Sequence, residues 1–127
     1  MSKSNYLETQ FLNHVLRNVA YTSPTTVYLA LYTVAPGEAG GGTEVSGGSY
    51  ARQSVTFSAP APDSSSNTTD VTFPVATGNW GTVVAFGVFD AASGGNLLYY
   101  ETLTASRDIF TSDQLRFPSG QLIVSED

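Results

Sequence analysis

The sequence predicts one mostly β domain, an antiparallel β-sandwich or jelly-roll-like fold of about 7–8 strands with a single amphipathic helix at its N-terminus. Its 127 residues are the length of one ordinary domain. Hydrophobic residues make up 41% of the chain and charged residues 13%, which is enough apolar material for a core. After residue 25, short alternating runs recur between turn residues, as in antiparallel strands. We therefore expect a single domain over 1–127, with a helix or arm at 1–20 and the sandwich at 26–125.

The helix is predicted from Asn5 to about Val19, because apolar residues recur there at the i, i+4, i+8 spacing of one helical face. These residues are Leu7, Phe11, Leu12, Val15, Leu16 and Val19. Glu8 follows Asn5 by three residues, which resembles a capping box with Asn5 in place of the usual Ser or Thr. The apolar face could pack on the domain itself or lie in a groove of another protein.

The first strand is predicted at residues 26–34, where both faces are apolar enough for the middle of a sheet. Val27, Leu29, Leu31 and Thr33 would line one face, and Tyr28, Ala30 and Tyr32 the other. Residues 35–49 form a glycine-rich loop of a length that is usually functional or mobile. A second strand is predicted at 50–57, with Val55 and Phe57 pointing inward.

The rest of the chain alternates strands with turns. Residues 58–69 read as a polar loop, 77–81 as a turn and 90–96 as a hairpin loop. The segment 82–89 is hydrophobic on both faces, which predicts a central strand. The remaining strands are predicted at 70–75, 97–103, 114–117 and 121–124.

Composition and charge exclude several classes of function. The chain has no cysteine, which excludes disulfides, thiolate metal sites and thiol catalysis. A net charge of -6 with scattered bases disfavours nucleic acid and anionic lipid as partners. The N-terminus lacks the apolar run of a signal peptide, and no run of apolar residues is long enough to span a membrane. We therefore expect synthesis in the cytoplasm and no nucleic-acid or membrane partner.

Catalytic and metal-binding patterns are weak. His14 is the one histidine, and it lies beside the apolar stripe of the helix without an evident catalytic partner. Glu38 and Glu44 could bind calcium only weakly from a flexible loop. The glycines at 40–42 have neither the lysine nor the following helix that phosphate binding requires. We expect no enzyme activity, no cofactor and no metal site.

Three aromatic residues offer a different function. Trp80, Tyr99 and Tyr100 could form a platform for a sugar, although aromatic residues of a sandwich usually fill its core. Trp80 lies between Asn79 and Gly81 in a predicted turn, so we expect it to be the most exposed of the three.

Five segments together resemble a known family. They are Met-Ser-Lys-Ser-Asn at 1–5, Leu-Ala-Leu-Tyr-Thr at 29–33, Ala-Pro-Gly-Glu-Ala-Gly at 35–40, Gly-Ser-Tyr-Ala-Arg at 48–52, and Phe-Gly-Val-Phe-Asp-Ala-Ala-Ser-Gly-Gly-Asn-Leu-Leu-Tyr at 86–99. The family they resemble consists of small structural proteins of tailed-bacteriophage virions, often labelled tail-fibre or uncharacterised structural proteins. None of the five segments is catalytic.

This resemblance implies a non-enzymatic virion protein, made in the host cytoplasm and displayed on the particle surface. We expect a capsid decoration or cement protein, or a tail-associated protein, that binds major capsid or tail proteins. A homo-oligomer is expected, and a trimer suits the local symmetry axes of a capsid. The alternative is a carbohydrate-binding module for host surface glycans. The candidate interaction residues are Leu7, Phe11, Val15, Gly40, Glu44 and Trp80.

Overall fold

The computed structural model describes residues 1–126, and this part of the chain is mostly β, with antiparallel sheets and one N-terminal helix as predicted. The elements are β1 (Ser2–Lys3), α1 (Asn5–Leu16), β2 (Val27–Val34), β3 (Thr43–Glu44), β4 (Gln53–Val55), β5 (Ser64–Ser66), β6 (Val71–Thr72), β7 (Gly81–Phe89), β8 (Leu97–Ile109), β9 (Arg116–Phe117) and β10 (Ile123–Ser125).

A six-stranded sheet forms the frame of the molecule. Its strands follow the order β1-β8-β7-β2, and the free edge of β2 pairs with β3 at one end and β4 at the other. Strands β2 and β7 therefore lie inside the sheet, as their apolar faces predict. Two small antiparallel pairs, β5 with β10 and β6 with β9, lie outside this sheet.

The two faces of β2 enter two different cores, as its alternation predicts. Leu29 and Leu31 belong to the main core cluster, whereas Ala30 and Tyr32 belong to a smaller cluster on the opposite face. The main cluster also contains side chains from the β6 and β9 region and from near the C-terminus, which cover one face of the sheet: Val71, Phe73, Leu115 and Leu122. The smaller cluster is completed by Ala85, Phe89 and Leu97.

Several strand boundaries differ from the prediction. The segment at 50–57 is a strand only over β4, and β5 lies in the segment predicted to be a polar loop. Three serines carry no hydrophobic alternation, and they become a strand because β10 pairs with them. Strand β8 continues to Ile109, six residues beyond the prediction, with a change of register against β7 between Thr102 and Arg107.

The ends of α1 also differ from the prediction. Ser4, and not Asn5, is the N-cap, because its hydroxyl oxygen accepts the N–H of Leu7 at 3.2 Å. The helix ends at Leu16 and does not reach Val19, because Asn18 takes a left-handed conformation with φ 56°. The N–H of Val19 then donates to the carbonyl oxygen of Asn13 at 3.1 Å, so the chain folds back over the last turn of the helix.

Candidate interaction site

The glycine-rich segment that follows β2 is held by an ion pair between Arg52 and Glu44, to which Tyr50 also bonds. We call these three residues the Arg52 cluster. The guanidinium of Arg52 donates to both carboxylate oxygens of Glu44 at 2.9 Å. The hydroxyl of Tyr50 donates to Glu44 at 2.7 Å and accepts the N–H of Leu31 at 3.0 Å. Glu44 is therefore fixed in the fold by these bonds and is not carried on a flexible loop.

Arg52 also connects the Arg52 cluster to the turn between β7 and β8. Its guanidinium lies over the ring of Phe89 at 3.8 Å from the centroid. It donates to the carbonyl oxygens of Ala91 at 3.0 Å and Gly94 at 2.8 Å. Two loops that are distant in sequence are thus joined through one buried side chain, and each loop contributes to a segment that resembles the phage family.

The turn at 90–96 is shaped by its own side chains, as its hairpin prediction requires. Asp90 accepts the backbone N–H of Asn96 at 2.7 Å and its side-chain amide at 3.0 Å. Gly95 has φ 73°, and a Cβ there would lie 2.5 Å from the Asp90 carboxylate. The acid, glycine and asparagine of this segment are therefore explained by the backbone conformation.

Trp80 is buried whereas Tyr99 and Tyr100 are half-buried, so the expectation that Trp80 is the most exposed of the three is wrong. It is 4% exposed, and its indole N–H donates to the carbonyl oxygen of Gly48 at 2.8 Å. Its ring packs edge-on against Tyr50 at 5.5 Å between centroids. The turn folds inward because Gly48 has no side chain, and a Cβ there would lie 2.9 Å from the Trp80 ring.

The helix α1 presents its apolar residues to solvent and has no buried residue. Four of them form the surface that we call the α1 apolar face, with exposed fractions of 49% for Phe11, 54% for Leu12, 58% for Val15 and 73% for Leu16. Leu7, which the sequence places on the same stripe, is half-buried. Tyr6, Gln10 and Asn13 are also half-buried, so the side of α1 that faces the domain is mixed and includes two polar residues.

Gly40 lies in a different place from the other candidates. It lines a cleft with the first turn of α1, and its φ of 89° favours glycine there although a Cβ would meet no atom within 4 Å. The structure therefore brings Leu7, Phe11 and Val15 together on α1 and separates them from Glu44 and Trp80. The sequence prediction missed Tyr50 and Arg52 as organising residues, although both lie in the segment 48–52 that resembles the phage family.

His14 lies on the exposed surface of α1, and within residues 1–126 its side chain hydrogen-bonds to the Val19 carbonyl oxygen at 3.3 Å and to nothing else. Over the same residues, no three His, Asp or Glu side chains converge as a metal site would require. The one helix of the described chain, α1, is too short to cross a membrane.

The described chain is thus a β domain with two loops joined by Arg52 and a helix whose apolar face points outward. The chain belongs to the family described as podophage GP4 fiber I protein gp80, whose model matches residues 2–125. The resemblance to a family of phage virion proteins is thereby confirmed. A fibre protein family implies a virion-associated location and association with other phage structural components, and it is consistent with a tail-associated structural protein. No curated protein matches the chain.

Proposed function

We propose that this chain is a non-enzymatic structural protein of a podophage tail fibre, and that the α1 apolar face attaches it to another virion protein. The observation that carries the proposal is the outward orientation of Phe11, Leu12, Val15 and Leu16. An amphipathic helix in a partner's groove anchors through side chains three and four residues apart, as Leu12, Val15 and Leu16 are.

The orientation of α1 argues against a purely internal role. A helix that stabilises its own domain turns its apolar stripe toward the core, whereas α1 turns half-buried Gln10 and Asn13 inward. The four apolar side chains are contiguous, and contiguous apolar surface on a soluble protein usually marks a contact site. Val19 is also 44% exposed and extends this surface beyond the helix.

Assembly of variant chains into particles tests the proposal. We expect Leu12→Asp/Leu16→Asp to fold normally, because both residues are more than half exposed, and to be lost from purified virions, because the new charges cannot enter an apolar groove. His14→Asp is the control, since it adds one of these two negative charges to the last turn of α1 outside the apolar face. Mass spectrometry of purified particles measures incorporation.

Each result has a defined meaning. Normal incorporation of the folded double variant would exclude α1 as the attachment element. Density for the chain on the capsid shell in cryo-EM maps would replace the fibre assignment with the capsid decoration or cement role. Absence of the wild-type chain from the particle would overturn the whole proposal.

Point substitutions are preferable to removal of residues 1–20. The side chain of Met1 packs against the main core cluster, and β1 pairs with β8. Ser4 is buried and bonds to β8. A truncation would therefore damage the sheet as well as remove the α1 apolar face, and the loss of binding would have two causes.

A further inference from the structure

A cleft on the face of the sheet that carries the smaller core cluster has features of a binding site. It is separate from the α1 apolar face. It has a volume of about 560 Å³, within the usual range for small-molecule sites. Its walls are the start of α1, the glycine-rich segment and the turn between β7 and β8, represented by Tyr6, Gly41 and Gly95. Its floor includes Tyr32 and Phe89, whose rings are stacked 6.4 Å apart. We call it the Tyr32 cleft.

The hydroxyl of Tyr32 is an unusual group within this cleft. The side chain is 4% exposed, yet its hydroxyl makes no hydrogen bond within residues 1–126. In the same residues, every side-chain polar atom that is fully buried has a hydrogen-bond partner. The unpartnered Tyr32 hydroxyl is therefore in contact with solvent, and Tyr32 lines the cleft. A buried residue thus offers one free polar atom to whatever occupies the cleft.

The hydroxyl is a hydrogen-bond donor at physiological pH. Burial, followed by the nearby Glu44 carboxylate, raises the pKa of Tyr32 to about 12. The proton therefore stays on the phenol.

The other lining groups define the charge of a suitable ligand. No lysine or arginine lines the cleft in the described chain, whereas Glu38 does, and the nearby Arg52 is already paired with Glu44. The charge at the cleft therefore disfavours an anion. The carboxylate of Glu38 and the amide of Asn5 make no side-chain hydrogen bonds within residues 1–126 and are available to hydroxyl groups. The half-buried ring of Tyr6 adds an aromatic surface.

These groups match a neutral polyol with apolar C–H faces. We infer that the Tyr32 cleft binds a neutral saccharide, with its hydroxyls bonded to Tyr32, Asn5 and Glu38 and a ring face against Tyr6. A charged phosphate or uronate fits less well because of Glu38, and a purely apolar ligand would leave the Tyr32 hydroxyl without a partner. This inference does not depend on attachment through α1, whose apolar face lies farther along the helix.

NMR titration of the full chain tests the inference. The probes are the methyl glycosides of glucose, galactose, mannose and N-acetylglucosamine, each added to about 50 mM so that weak binding is detected. We expect at least one to shift the amide signals of Gly40, Gly41, Gly95 and Asn96 in a saturable way. Glucuronate is the charged comparator and should bind more weakly than methyl glucoside.

Two variants identify the groups involved. Tyr32→Phe removes only the unpartnered hydroxyl and should raise the Kd about fivefold, the effect of one lost hydrogen bond. Tyr28→Phe is the matched control, because Tyr28 lies on the same face of β2 outside the cleft. Glu38→Ala should also weaken binding, and Glu38 is exposed, so its loss leaves the core intact.

Three results would overturn the inference. The first is the absence of shifts at the four cleft residues with every neutral glycoside. The second is equal affinity of the wild-type chain and both the Tyr32 and Glu38 variants. The third is tighter binding of glucuronate than of methyl glucoside, which would assign the cleft to an anion.

Discussion

Arg52 shows how a single residue organises two loops of this protein. Its planar guanidinium satisfies both oxygens of Glu44, two backbone carbonyls of the turn after β7, and the face of the Phe89 ring. Arginine presents donors in a fixed fork that matches a carboxylate, whereas lysine presents a compact charge. Lysine at this position could therefore not make the same set of contacts.

Arg52→Lys should lower the free energy of unfolding by about 2 kcal/mol, because lysine loses the bidentate pair and the stacking while it keeps the charge. Urea unfolding followed by fluorescence of Trp80, the one tryptophan, measures the change. Arg107→Lys is the control, since Arg107 is exposed and makes no ion pair within residues 1–126. Equal stability of the wild-type chain and Arg52→Lys would contradict the organising role of Arg52.

Glu44 should make stability depend on pH in the acid range. Burial alone would raise the pKa of the Glu44 carboxyl, but hydrogen bonds from Arg52 and Tyr50 outweigh it and lower the pKa below its ordinary value of 4.5. The folded state then binds this proton more weakly than the unfolded chain. The stabilisation is complete above the ordinary pKa and is lost as the pH falls through the lower folded value.

Glu44→Gln should therefore be less stable than the wild-type chain at pH 7 and lose less stability between about pH 5 and pH 3. Part of the acid dependence should remain, because Lys3 and Tyr99 also lower the pKa of Glu126 against the effect of burial. Urea unfolding at several pH values measures both quantities. Identical pH dependence of the two chains would show that Glu44 does not contribute.

Residue alternation predicted which side chains of β2 enter each core, but it could not predict Trp80. Leu29, Leu31, Ala30 and Tyr32 follow from period two alone. The burial of Trp80 depends on Gly48, which is 32 positions earlier in the chain. A local pattern reports the turn and carries no information about a distant glycine that lets the ring approach.

The same limit applies to elements. The long apolar strands β2 and β7 were predictable because their own residues specify them, whereas β5 forms only through pairing with β10. For α1, period and length were predicted nearly correctly. Its orientation was not, because the spacing of apolar residues defines a stripe without defining which way the stripe turns.

The start of α1 depends on Ser4, whose hydroxyl makes two hydrogen bonds. Its hydroxyl accepts the N–H of Leu7 and donates to the carbonyl oxygen of Leu97 on β8. The cap therefore also fixes the helix to the sheet. Leu98 reinforces this join, because its carbonyl oxygen accepts the N–H of Ser4 at 2.9 Å.

Ser4→Ala should destabilise α1 by about 1–2 kcal/mol, since it removes an N-cap and leaves a buried carbonyl oxygen without that donor. Far-ultraviolet circular dichroism and the NMR shifts of α1 measure the loss of helix. Asn5→Ala is the control, because Asn5 is exposed and does not act as the cap. A larger effect of Asn5→Ala than of Ser4→Ala would restore the capping role predicted for Asn5.

At the scale of the whole molecule, the two ends of the described chain are fastened together while α1 is left outside the core. Lys3 and Tyr99 both bond to the carboxylate of Glu126, at 2.8 and 2.9 Å. These two bonds join the edge of the sheet to the end of the described chain, so the sheet and the layer that covers it form one packed unit. The helix adds no buried residue to that unit, so its stability in the free chain should be local.

Amide hydrogen exchange should divide the free protein accordingly. Amides of β2 and β7 lie inside the sheet and should exchange only on global unfolding, whereas those of α1 should exchange through fraying, with protection lower by at least about tenfold. If the expected homo-oligomer forms through the α1 apolar face, protection of α1 should rise with protein concentration while that of β7 stays constant. If α1 instead awaits a different virion protein, its protection should be independent of concentration and rise only on assembly into the particle. Strong protection of α1 in the dilute free chain would contradict both outcomes, because it would require the helix to be packed on its own domain.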